Sequence, residues 1–246
     1  MRRLLLGAAA LIAVVLLPAG RDASAMPTSS ACDRSSSLAG YRTRGHALRG
    51  DLDGDRKADR VTVRANVKRP PRCRFVLVVE TGRGGVVVLP VKPLPWFLAV
   101  NNPRLTLLAE IDGRAGLEAV VELSWPPASV VYRPGAVFTM RERRLVRMRY
   151  DVEAKLPDDV FPFYDEFPVG VNCGAQPGTV VVTRGGLAKR GRDDRHYDIT
   201  RSLYRAAGTR FVLLRRTKYR VGIRERIEQR WPELRGPFLS CPHQVR

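Results

Sequence analysis

The sequence predicts an all-β chain of three four-stranded, antiparallel, blade-like repeats, arranged as a propeller or partial propeller. Three observations carry that expectation. Asp53–Val63 (DGDRKADRVTV) lies over Asp112–Glu122 (DGRAGLEAVVE) at a constant offset of 59 residues. Each copy runs from Asp-Gly through an acid into β-forming residues. A fainter third copy, offset by 61 from the second, passes from Asn172-Cys173-Gly174 into Thr179-Val180-Val181-Val182. Between these markers, apolar runs of strand length are separated by Gly- and Pro-rich turns, the layout of a four-stranded blade.

The chain begins with an address. Met1-Arg2-Arg3 is a short positive start, Leu4–Leu17 an apolar core, and Pro18 and Gly20 break it before Ala23-Ser24-Ala25. Those are the three regions of a secretory signal peptide. The expected mature chain is therefore 26–246, a single composite β domain in a secreted, extracellular protein. Losing Arg2, Arg3, Arg21 and Asp22 with the leader lowers the formal charge only from +19 to +17. A hydrophobic share of 44% against 27% charged excludes wholesale disorder.

The first repeat spans about 45–91, with strands near 45–50, 60–66, 73–80 and 86–91; Pro70-Pro71 and Gly82–Gly85 make its turns. The second spans about 105–150, with strands near 105–110, 118–123, 129–133 with 136–140, and 145–150. The third spans about 167–219, with strands near 167–171, 179–184, 195–205 and 210–219. Phe75–Val79, Val86–Leu89 and Phe211–Leu214 are apolar without alternation, which suits strands covered on both faces. Val146, Met148 and Tyr150 alternate with Arg147 and Arg149, as an outer strand would. Residues 151–166 read as a connector whose aromatics plug a core edge. The basic C-terminal tail, 220–246, opens with a short helix at 220–231, since Ile223, Ile227 and Trp231 recur every four residues.

One loop carries chemistry. Asp51, Asp53, Asp55 and Asp59 occupy positions 1, 3, 5 and 9 of a nine-residue segment. Calcium takes six to eight oxygens, and alternate residues of a tightly coiled loop point inward. The carbonyl of Lys57, at position 7, would help close the shell. The alternative is a solvated acidic turn paired with Arg56, Lys57 and Arg60.

Asp51–Val63 (DLDGDRKADRVTV) resembles the calcium loop and following strand of FG-GAP or VCBS-type repeats, with Glu110–Glu118 (EIDGRAGLE) a degraded second copy. The resemblance implies an extracellular, integrin-like β-propeller scaffold stabilised by calcium, with Asp51, Asp53, Asp55 and Asp59 as side-chain ligands. Two departures matter. Arg56 stands where the family has the glycine of a sharp turn. Arg114 occupies the fifth position of the second copy, where it would exclude a cation and pair with Glu110 or Glu118. One calcium at most is expected. Three repeats are fewer than common closed propellers use, leaving a curved partial propeller, a sheet closed by both termini, or an oligomer.

In an oxidising compartment the four cysteines predict two disulfides. Cys73 begins a third strand, whereas Cys173 lies in a first-to-second loop at the opposite end of its unit. The expected pairs are Cys32–Cys73 and Cys173–Cys241. No nucleophile-elbow, zincin or phosphate-loop motif occurs. The chain is read as a non-catalytic scaffold or binding protein. The alternative is a secreted hydrolase with a site around Asp193, Asp194 and His196. The excess of Arg over Lys and the basic run at 215–230 suit an anionic cell-wall polymer, an anionic lipid or another surface protein. A GC-rich genome and plain solubility account for the same charge. Nucleic acid is disfavoured, because no aromatics are interleaved with the cations.

Overall fold

The computed structural model describes residues 32, 38–92, 102–123, 133–150, 160–164, 169–187, 196–222, 230–231, 234, 238 and 240–246. Met1–Ser36 and Ser37–Arg246 form separate units, and the architecture below is that of the second. The expected signal peptide, Asp193, Asp194, Ile223 and Ile227 lie outside the described residues.

The fold is all-β, in three mostly antiparallel sheets. Sheet A is a meander of β1 (Arg42–Gly50), β2 (Asp59–Ala65), β3 (Phe75–Glu80) and β4 (Val86–Pro90). Sheet B runs from β5 (Arg104–Ala109) through β6 (Glu118–Glu122) to the long β7 (Arg133–Arg141). The outer edge of β7 is shared by β8 (Arg144–Arg147) along its end and β10 (Phe161–Tyr164) along its start. Sheet C is a second long meander that curls into a half-barrel. It comprises β11 (Val169–Cys173), β12 (Thr179–Leu187), β13 (His196–Ala207) and β14 (Arg210–Gly222), with the two-residue β9 (Arg149–Tyr150) added in parallel to β14. Most bounds lie near the expected strands, but the sheets have four, five and five strands rather than four each: Phe161–Tyr164 of the expected connector pairs as β10, and the expected 145–150 strand is divided between sheets B and C.

Side chains alternate across a strand, and in the centre of sheet B both faces carry buried apolar residues. Ala119 and Val121 of β6, with Ala136, Phe138 and Met140 of β7, face Val61, Val63, Leu77 and Val79 of sheet A. Val120 and Val137, on the opposite face, meet Val171, Val180, Val182 and Phe211 of sheet C. Sheet B is thus covered on both sides, and every residue of β6 is buried. Each fully buried Val, Leu or Phe contributes about 1.5–3 kcal/mol. An aromatic cluster completes the second core. Tyr150 stacks on Phe161 at 4.4 Å, and Phe161 meets Phe211 and Phe238 edge-on. The connector's Phe161 therefore plugs a core edge, as its composition suggests.

Several expectations are corrected. β3 is apolar on both faces and buried, but Val86 and Val88 of β4 are exposed while Val87 and Leu89 pack inward. The reason is position: β4 is the edge of sheet A, with one face wet. Val212 and Leu214 of β14 are exposed for the same reason, leaving Phe211 as the buried member of its run. Residues 220–222 belong to β14 and are not helical. Trp231 packs on Ile199 and Val221, and its ring lies 5.5 Å from that of Tyr219.

The C-terminal segment is a strap built into the core. The Phe238 N–H donates to the Val171 carbonyl, Ser240 N–H to the Asn172 side chain, and Leu108 and Val245 exchange backbone hydrogen bonds. The segment thereby joins β11 of sheet C to β5 of sheet B. Cys241 is bonded to Cys173 across a sequence separation of 68 residues. Cys32 and Cys73 are disulfide-bonded as well, and no described cysteine is free. The Cys173–Cys241 bond agrees with the expected pairing.

The first loops of the three units stack on one another. A Cβ placed on Gly116 would stand 2.7 Å from the Leu52 carbonyl oxygen, and one on Gly113 2.6 Å from the Gly178 nitrogen. Both glycines also have positive φ, at 105° and 74°. Gly208, in the β13–β14 turn, has φ 66° but open space around its Cβ position. Gly113→Ala is therefore expected to lower stability by about 2–4 kcal/mol, combining a left-handed alanine with overpacking. Gly208→Ala, with only the first effect, should lose about 1–2 kcal/mol. Denaturant unfolding of the two variants checks the difference.

Candidate functional site

Two loops at the same place in successive repeats share one construction. The Leu52 N–H donates to the Asp59 carboxylate at 2.7 Å, and the Ile111 N–H donates to the Glu118 carboxylate at 2.8 Å. The donors and the acceptors are each 59 residues apart, so the sequence offset is a structural repeat. Each acid opens a second strand, is buried, and ties its loop to the sheet. Gly54 and Gly113 take the same left-handed turn, with φ 77° and 74°. Asp59 also accepts the Gly82 N–H through its other oxygen, anchoring the β3–β4 turn.

Within the first loop, Asp51 caps the turn. One oxygen accepts the N–H groups of Gly54 and Asp55, the other that of Arg56. This arrangement bends the chain so that Asp51, Asp53 and Asp59 bring carboxylate oxygens within 4.8 Å of one another. Arg56 adopts φ 66°, so the turn forms without the glycine, at an energetic penalty of roughly 1–2 kcal/mol. Burial and the neighbouring charges of Asp59, Asp55 and Asp51 raise the Asp53 carboxyl above its ordinary pKa, against the Asp55 N–H that it accepts.

Asp55 stands apart from the triplet. Its carboxylate accepts the Lys57 N–H and pairs with Arg83 at 2.5 Å. The Lys57 N–H and the Arg83 guanidinium hold its pKa below the usual range. The cation beside this acid comes from the β3–β4 turn, and Arg60 pairs instead with Glu80. Sequence reasoning missed Arg83, which lies 28 residues away with no periodic mark.

The donor set suits a hard divalent cation in kind, since three carboxylates supply anionic oxygens. Asp59 and Asp51 already accept backbone N–H groups, which leaves Asp53 the least committed. Each carboxylate oxygen has a second lone pair, so those hydrogen bonds and a cation are compatible.

The second loop solves its charge differently. Asp112 is ion-paired with Arg141 at the end of β7, and Arg141 loses pKa through burial. Arg114 is not paired with Glu110 or Glu118 among the described residues, contrary to expectation. Its backbone N–H donates to Asp112, and its side chain is exposed. Glu110 instead approaches His243 at 3.7 Å. The third loop has no acid, and Asn172 there binds the strap.

For the hydrolase alternative, His196 is half-buried at the start of β13, opposite Gly222. It lines neither the cleft beside Cys173–Thr179 nor the one at Asp198–Thr200 and Lys218–Arg220. Searches against known protein families, curated proteins and solved structures find no match for the chain. No helix among the described residues is long and apolar enough to cross a membrane.

Among the described residues Glu118 has the largest pKa displacement. Burial raises its pKa to about 7, against hydrogen bonds from the Ile111 N–H and the Thr139 hydroxyl and with the charge of Glu110 adding to the rise. A carboxyl raised on folding contributes stability that is complete below the unfolded value near 4.5 and is lost as pH rises through about 7. A glutamine fits the same partners, accepting from Ile111 and Asp112 and donating to the Thr139 oxygen. Glu118→Gln should therefore remove a stability loss on the order of 3 kcal/mol between pH 4.5 and 8. Urea denaturation of both proteins across that range is the measurement; parallel curves would contradict the assignment.

Proposed function

We propose that this chain is an exported, non-catalytic binding scaffold of FG-GAP- or VCBS-like blades, with one calcium ion held by the loop from Asp51 to Asp59. The convergence of the Asp51, Asp53 and Asp59 oxygens within 4.8 Å, in a chain of net charge +19, is the observation that carries this reading. Three sheets with a repeated first loop support the blade comparison, and the close approach of those loops supports a partial propeller. Disulfide-bonded cysteines suit an oxidising compartment.

In this reading Asp51, Asp53 and Asp59 hold the cation, which supplies positive charge to a cluster of mutually repelling carboxylates. The protein's own part is positional. Asp51 presents its backbone carbonyl to the Leu117 N–H at 2.7 Å, so order in the first loop passes directly to the second. A filled site would hold sheets A and B in register at the end where their loops meet.

Calcium should raise the melting temperature. At one hundred times its dissociation constant, mass action adds about 2.7 kcal/mol, a rise of roughly 5–10 °C for a chain of this size. Asp53→Asn should abolish the rise while leaving the metal-free melting temperature nearly unchanged, because Asp53 accepts one backbone N–H that asparagine also accepts. Asp59→Asn is a poorer probe, since both oxygens of Asp59 hold backbone groups. Scanning calorimetry with and without a chelator decides; a wild-type melting temperature indifferent to calcium overturns the metal reading.

A further inference from the structure

Every open sheet ends in edge strands, and an unpaired edge is a template for another chain. Most edges of this protein are covered or guarded. The C-terminal strap hydrogen-bonds to β5 and β11. Strand β1 carries Arg42, Arg44 and Arg49, with a register shift between Arg44 and Leu48. Strand β14 carries Arg215, Lys218 and Arg220, with its own register shift beside Leu203. Arg144 and Arg147 stand on β8, and Pro162 on β10. By contrast β4 (VVVLP) has no charged residue and no register shift, and among the described residues it pairs only with β3.

The ladder fixes which groups that edge presents. The Val91 N–H donates to the Phe75 carbonyl, and the Thr81 N–H to the Gly85 carbonyl, at opposite ends of the β3–β4 hairpin. Hydrogen-bonded and non-bonded pairs alternate along antiparallel strands, so Val87 and Leu89 bond to β3. Val86 and Val88 therefore turn their N–H and C=O groups outward, about 6.8 Å apart. Pro90 adds a carbonyl and, lacking an N–H, ends the row. The side chains suit a further strand as well. Val86 and Val88 are 57% and 40% exposed. On the other face Val87 and Leu89 pack on the first core yet stay only half-buried. An added strand would meet hydrogen-bonding groups along its length and apolar side chains on both faces.

Size and charge select the occupant. β4 offers five residues, against roughly 20–30 a side in a standard protein interface. That suits one extended segment and is too little to hold two whole copies together. A second copy would also bring a formal charge of +19 against itself, which opposes association. An acidic partner is drawn towards the same chain. Strand addition takes its affinity from the main chain and its selectivity from alternate side chains.

We propose that β4 accepts an added strand: an extended, apolar, β-branched segment with acidic flanks, supplied by a partner protein. The proposal rests on the scaffold reading and gives it a partner. It does not require the metal ion.

The probe is a labelled peptide, acetyl-Glu-Glu-Val-Thr-Val-Thr-Val-Glu-Glu-amide, titrated into the full chain by fluorescence anisotropy, with amide hydrogen exchange followed alongside. Saturable binding is expected, and the Val86 and Val88 amides should exchange at least tenfold more slowly in the complex. The same peptide N-methylated throughout its Val-Thr run keeps its charge but loses its strand donors, so it should not bind. Val88→Pro removes an outward N–H without breaking the ladder to β3 and should weaken binding at least tenfold. Arg42→Gln with Arg49→Gln, on β1, should leave binding nearly unchanged. If Val88→Pro fails to fold, the methylated peptide still decides on the wild-type chain. Equal binding of the methylated peptide, or a folded Val88→Pro that binds as the wild type does, would overturn the proposal. So would Val86 and Val88 amides that become protected as protein concentration rises without peptide, because the occupant would then be a second copy. Calcium stabilisation without peptide binding would remove this inference and leave the scaffold reading standing. Peptide binding without a calcium response would remove the metal and leave this inference.

Discussion

The central strands of sheet B, β6 and β7, are buried on both faces, and the rest of the molecule is arranged around that constraint. A strand such as β6, buried at every residue, needs an apolar layer on each side. Sheets A and C supply them, with Val61, Val63, Leu77 and Val79 on one side and Val171, Val180, Val182 and Phe211 on the other. Stacking three sheets face to face brings their first loops together. There the backbones approach so closely that Gly113, Gly116 and Gly178 leave no room for a Cβ. The strap enters where sheets B and C meet, and its disulfide to Cys173 fixes it beside the third loop.

The acids at the loop ends follow from this stacking. A loop pressed against its neighbour must satisfy its backbone N–H groups internally, and Asp59 and Glu118 do so for Leu52 and Ile111. Burying such a carboxylate raises the free energy of its charge. Glu118 follows this rule, its pKa raised by burial. The second loop offsets its remaining charge with Arg141, a cation from within the protein. The first loop gathers three carboxylates and directs its nearest arginine, Arg83, to Asp55. That difference between two copies of one loop is the physical basis for placing a divalent cation in the first.

Much of this was legible in the chain. The 59-residue offset marks equivalent hydrogen bonds, and the strands lie near their expected positions because Val- and Leu-rich runs end at Gly, Pro and Asp. Other features depend on neighbours that a local pattern does not reveal. Val86–Leu89 reads as fully buried, yet β4 is an edge. Residues 220–222 fit a helical spacing, but pairing with His196–Asp198 extends the strand. The same limit applies to the site. Four aspartates share a suggestive spacing, but only three converge, because Arg83 reaches Asp55 from another turn. Glu118 stands at the position of Asp59, so the repeat itself marks it; its raised pKa comes from its burial in the fold.

The claim on which the functional reading turns is that the first loop binds a cation whereas the second does not. Isothermal titration of the metal-free full chain with calcium addresses it most directly. The expected result is a single-site isotherm in the wild-type protein, retained in Asp112→Asn and absent in Asp53→Asn. A flat isotherm for the wild type, or a stoichiometry unaffected by Asp53→Asn, would contradict it and leave the three converging carboxylates as a turn held by its own backbone.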